Sequence, residues 1–138
     1  LTGRATLRGI YLTETCFDMT PQALELDDGG VNHTIRPSDI EVTVEKDGVI
    51  SGIIRFEAIS RRKRRRVIYV SARYFVSYHV EGGCDQVMAE LFLDSVGKLA
   101  AYPYFRALVG SLVAQAGTRV PALPILTFQP RSVQYAAD

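Results

Sequence analysis

Residues 67–80, VIYVSARYFVSYHV, constrain the fold of this chain more than any other stretch. Ile68, Val70, Ala72, Tyr74, Val76, Tyr78 and Val80 form an unbroken apolar parity, which a period of two places on one face of a β-strand. The opposite parity still carries Val67, Tyr69 and Phe75. A strand this long and this apolar commits the chain to a sheet with one well-defined buried face. Its partners precede it. Ile40, Val42 and Val44 alternate with Glu41, Thr43 and Glu45, and Lys46-Asp47-Gly48 then carries the Asp-Gly hairpin signal. Ile50 to Ser60 returns, with Ile54, Phe56 and Ala58 on one face.

Ala5 to Thr20 reads as a further strand, with Leu7, Tyr11, Phe17 and Met19 on one parity and Ile10, Leu12 and Cys16 on the other. Strict alternation therefore makes it apolar on both faces, and its length predicts a bend or bulge near Gly9. Pro21 to Pro37, with Asp27-Asp28-Gly29-Gly30, has little periodicity and reads as a long crossover loop. After Glu81-Gly82-Gly83 the period changes. Asp85 is placed to cap a helix in which Met88, Leu91, Phe92, Ser95, Val96 and Leu99 keep helical spacing. Pro103 reads as the first-turn residue of a second helix and Gly117 as its stop. Phe105, Leu108, Val109, Leu112, Val113 and Ala116 give that helix a broad apolar stripe. Strands followed by helices, with no β-α-β alternation, predict an α+β fold: a four-stranded antiparallel sheet with helices packed on one side. At 138 residues this is one domain, with strands over about 5–80, helices over about 85–117 and an extended segment over 118–138.

Composition narrows the function by exclusion. No run approaches the roughly 18 uncharged apolar residues that a membrane helix needs. No signal-peptide pattern opens the chain, and Leu rather than Met at position 1 fits a trimmed start. Cys16 and Cys84 lack C-x-x-C spacing and read as two reduced thiols of a cytoplasmic protein. The two histidines, His33 and His79, complete no tetrahedral metal set. Gly29-Gly30 and Gly82-Gly83 lack the context of a phosphate cradle, and Ser111 follows Gly110 inside a helix rather than on a strand-to-helix elbow. The chain thus reads as a non-enzyme without cofactor or metal.

One charged feature stands out against a net charge of +1: Arg61-Arg62-Lys63-Arg64-Arg65-Arg66. Six cations at a hairpin tip keep a sheet edge open and soluble by mutual repulsion. They are equally the footprint of a basic adaptor that binds nucleic acid or an acidic protein. Without interleaved aromatics the solvated tip is the simpler reading.

The stretch AYPYFRALVGSLVAQAGTRVPALPILTF, residues 101 to 128, resembles the SecB family of export chaperones. Pro103, Tyr104, Arg106, Gly117, Pro121, Leu123, Pro124 and Phe128 carry the likeness to the family's helix start and following proline-rich segment. IYLTETCFDMTP, residues 10 to 21, is similar to the family's first strand, with Glu14, Phe17 and Asp18 at its recurring acid, aromatic and acid.

This resemblance implies an ATP-independent holdase, assembled as a homotetramer (a dimer of dimers), that keeps client polypeptides unfolded. It places client contacts at Phe17, at Val31 and Ile35 of the crossover, and at Pro121, Leu123, Ile125, Leu126 and Phe128. Subunit contacts fall on Tyr104, Phe105, Leu108 and Leu112, and partner docking on Glu14 and Asp18. The partner implied for acidic members is the SecA translocation motor, yet the fourth-strand acid is replaced by Ser71 and Arg73 shares that face. A divergent SecB-like protein dedicated to the antitoxin of a toxin–antitoxin system is the other role the resemblance offers.

Overall fold

A computed structural model describes residues 4–21, 31–37 and 40–117; within 31–37 only the side chain of Thr34 is described. Five antiparallel strands, β1 (Ala5–Met19), β2 (Val31–Pro37), β3 (Glu41–Val44), β4 (Val49–Arg62) and β5 (Arg65–Val80), form one sheet in the order β1-β5-β4-β2. β3 also pairs with β4. Because β2 takes residues 56–62 of β4 and β3 takes 50–53, these two short strands share one edge in turn. The sheet is four strands wide, as the sequence predicts.

The alternation of β5 is realised directly. Val70, Val76 and Val80 are buried, and their parity packs with Ile50, Ile54 and Phe56 of β4 beneath the helices. The Asp-Gly turn is formed as expected: Gly48 has φ 86°, and Asp47 Oδ1 accepts from Val49 N at 3.3 Å. A Cβ at Gly48 would lie 2.6 Å from the Val80 carbonyl oxygen, so the position excludes other residues twice over.

Pro21 to Pro37 is not loop throughout. Val31–Pro37 is strand β2, in register with Phe56 to Arg62 of β4. Its polar Asn32, Thr34 and Arg36 obscured the signal, and an unpaired edge of β4 supplies the reason to extend.

Gly82 and Gly83, both at positive φ, turn the chain into α1 (Gln86–Phe92), whose N-cap Asp85 accepts from Met88 N at 2.8 Å. A π-type turn, Leu93–Gly97, joins it to α2 (Lys98–Gln115). The whole run is one helical rod, its α1 end packed against β3 and its α2 portion lying over β4 and β5. It ends at Gly117, φ 77°, as predicted.

Pro103 departs from expectation. It lies inside α2, not at its first turn. Pro103 and Leu99 are both exposed, so the Leu99 carbonyl that loses its donor is on the water side of the rod. The π turn is tied to the sheet by small residues. A Cβ on Gly52 would come within 2.8 Å of Leu93 Cδ1, and one on Gly97 within 3.2 Å of Ile54 Cδ1. At this turn the buried Lys98 ammonium is paired with Asp94.

Candidate functional site

Among the described residues β1 is an edge strand, paired only with β5. Two register shifts, at Leu7/Gly9 and Leu12/Glu14, insert an extra residue each, Arg8 and Thr13. Those insertions re-phase the side chains. Leu7 opposes Tyr78, Ile10 opposes Val76, Leu12 opposes Tyr74, Phe17 opposes Val70 and Met19 opposes Ile68, so all five share the helix-side face. Tyr11 and Cys16 oppose Phe75 and Ser71 on the other face. Strict alternation had divided the apolar residues between two faces; the bulges gather most of them on one.

The helical rod does not cover this stripe. Leu7 and Leu12 are 45% and 46% exposed, while Ile10, Phe17 and Met19 are half-buried against the core. On the rod, Val96, Leu99 and Tyr104 are exposed as well. An apolar edge, interrupted at Thr15, therefore lies partly open along β1. Isolated exposed leucines need no explanation, but a row of five apolar residues on one face of an edge strand does. The sequence signal for it is Leu7 and Leu12, which strict alternation places on opposite faces and the bulge at Arg8 brings to one.

The other sheet face is polar at its centre. Tyr69 accepts from Arg55 Nη2 at 2.8 Å and donates to Glu57 Oε2 at 2.9 Å, and the Arg66 guanidinium caps its ring at 4.6 Å. Glu14 faces Arg73 at 3.8 Å and Asp18 faces Arg66 at 3.8 Å, both pairs exposed. The two acids expected to dock a partner are thus each shared with an arginine of β5. Tyr11 folds back over Gly9 and lies beside Phe75, with ring centroids 6.4 Å apart.

The residues expected to touch a client do not converge. Phe17, Val70, Ala58 and Ile35 occupy one transverse row, so Phe17 and Ile35 stand at opposite edges of the sheet, about 14 Å apart at the usual strand spacing. Val31 pairs with Arg62 on the same far edge. Pro121, Leu123, Ile125, Leu126 and Phe128 lie outside the described residues. Of the helix residues expected at a subunit interface, Tyr104 is 53% exposed, and Leu108 and Leu112 are half-buried against the core. Phe105 is 0% exposed and belongs to the subunit's own interior.

The thiols of Cys16 and Cys84 are free, and burial together with Asp85 pushes that of Cys84 up. Among the described residues no group of His, Cys, Asp or Glu is placed to hold a metal ion, and no helix is long and apolar enough to cross a membrane.

No protein-family model matches the chain, and no curated protein does. Among solved structures it is similar to the Mycobacterium tuberculosis Rv1957 SecB-like chaperone, in complex with a ChAD peptide from the Rv1956 HigA1 antitoxin. The likeness has a TM-score of 0.70 at 18% identity and covers 91% of this chain and 93% of that one. The fold is that of a SecB-like chaperone.

Proposed function

We propose that this protein is an ATP-independent chaperone that holds unfolded segments of client proteins, with the antitoxin of a toxin–antitoxin system as a dedicated client. The half-open stripe of Leu7, Ile10, Leu12, Phe17 and Met19 is the observation that carries this reading. The SecB-like fold, and the antitoxin peptide bound to the M. tuberculosis protein that shares it, support it.

Magnitudes suit holding rather than folding. An extended client buries every second side chain, each returning about 1.5–3 kcal/mol if fully covered. Ordering its backbone costs about 1–2 kcal/mol per residue. The two sides nearly cancel, so capture is reversible and improves with several stripes in one assembly. A homotetramer, with Tyr104, Leu108 and Leu112 at subunit contacts, supplies that multiplicity. Phe17 is retained as a client contact, and the proline-rich segment from Pro121 to Phe128 is a second wall. Export through the SecA motor is the weaker role, because Arg73 and Arg66 compete for Glu14 and Asp18. The action requires no catalysis and suits a cytoplasmic protein.

The test is suppression of aggregation of a chemically unfolded client without nucleotide, with light scattering to give the assembly size. Dose-dependent suppression by an oligomer is expected. A monomer that leaves aggregation unchanged would overturn the proposal.

A further inference from the structure

The β4–β5 hairpin tip is a two-residue turn with Lys63 and Arg64 at φ 49° and 67°. Both positions are left-handed, where Asn-Gly is the favoured pair and a long cationic side chain is a poor choice for the backbone. Below the turn Arg62 directly opposes Arg65, and Arg61 opposes Arg66. Like charges in directly opposed positions weaken a hairpin. Turn chemistry and cross-strand pairing are thus both unfavourable at one place, and what they have in common is positive charge.

Lys63 to Arg66 are exposed. Among the described residues a single carboxylate comes within ion-pair distance of the six, Asp18 to Arg66 at 3.8 Å. We infer that this tip is a docking site for a short acidic peptide segment, whose carboxylates lie between the paired guanidinium groups of β4 and β5. Arginine offers each carboxylate a planar, two-pronged donor set.

Two observations favour a short acidic peptide over nucleic acid. On the sheet face running away from the tip Asp18, Glu57 and Glu14 are each paired with an arginine, Arg66, Arg55 and Arg73, so that face adds no net positive charge for a long polyanion to follow beyond the first few charges. The nearest aromatic ring, Tyr69, is already capped by Arg66 and its hydroxyl is held by Arg55 and Glu57, so it offers no platform for a base. The inference does not depend on the chaperone reading, since it requires neither the β1 stripe nor an assembly.

The experiment measures fluorescence anisotropy of a labelled hexaglutamate peptide with the full chain, against a hexalysine peptide and a single-stranded oligonucleotide of equal charge. Hexaglutamate is expected to bind, and to weaken about tenfold or more between roughly 0.05 and 0.2 M salt. The variant carrying Arg62→Gln, Lys63→Asn, Arg64→Gly and Arg65→Gln puts an Asn-Gly pair at the turn, which favours the hairpin. It should fold at least as well and bind hexaglutamate at least about tenfold more weakly. The acids Glu25, Asp27 and Asp28 are kept in both proteins, so the comparison isolates what the tip adds. Equal binding by the variant, no binding at low salt, or preference for the oligonucleotide would each overturn the inference.

Discussion

The ring of Phe56 on β4 stacks on that of Phe105 on α2, with centroids 5.2 Å apart and planes 17° from parallel. Tyr74 and Tyr102 meet Phe56 edge-on at 6.3 and 5.8 Å, so this cluster fastens the helical rod to the sheet. Both phenylalanines are fully buried. Phe105→Ala should cost about 3–5 kcal/mol, read as a lower denaturant midpoint. Its neighbour Tyr104 points outward, and Tyr104→Ala should leave the subunit's stability within about 0.5 kcal/mol while weakening assembly. Equal destabilisation by the two would contradict the assignment of faces.

Gly52 permits the π turn to sit close to β4. Gly52→Ala sets a Cβ against Leu93 Cδ1 at 2.8 Å and the Glu41 carbonyl oxygen at 2.9 Å. The backbone oxygen cannot move aside without disturbing the β3–β4 pairing. A loss of about 1–3 kcal/mol in thermal unfolding is expected, and an unchanged transition would show that the rod stands further from the sheet.

Lys98, the buried first residue of α2, is paired with the half-buried Asp94 of the π turn. Lys98→Met strands a carboxylate and Asp94→Asn strands an ammonium, each at a cost of about 3 kcal/mol. Replacing both by apolar residues should recover most of that loss. Additive losses in the double variant would mean that the pair is not coupled.

Alkaline unfolding should report the buried tyrosines. Burial pushes the Tyr74 hydroxyl from 10.0 up to about 12, and raises Tyr78 and Tyr102 as well. The unfolded chain releases the proton first, so stability is full below pH 10 and falls as the pH rises towards 12. Tyr74 alone accounts for a loss on the order of 2 kcal/mol across that window. Tyr74→Phe should flatten this part of the stability profile; a profile identical to that of the unsubstituted protein would be the opposing result.

Substitutions in the β1 stripe test the proposed client capture separately from folding. Leu7→Asp together with Leu12→Asp places charge on two half-exposed positions, so unfolding free energy should change by no more than about 1 kcal/mol. Suppression of client aggregation should drop severalfold. Retained suppression by this folded variant would exclude the stripe as the capture surface.

Local rules carried several elements of this protein without help. The alternation of β5, the Asp47-Gly48 turn, the Asp85 cap and the Gly117 stop are each set by residues within a few positions of one another, and the structure realises all four. The α+β order, with helices on one side of a sheet four strands wide, follows from them. What the sequence could not carry was phase. The bulge at Arg8 falls near Gly9, where the length of the strand predicts one, but no local signal marks the bulge at Thr13 or the π turn at Leu93–Gly97, and all three shift the side chains that follow. Only the opposing strand β5, which pairs on either side of each bulge, decides that Leu7, Ile10 and Leu12 share a face. The pairing of β2 and the burial of Phe105 were settled in the same way, by partners distant in sequence that complete hydrogen bonds and fill volume.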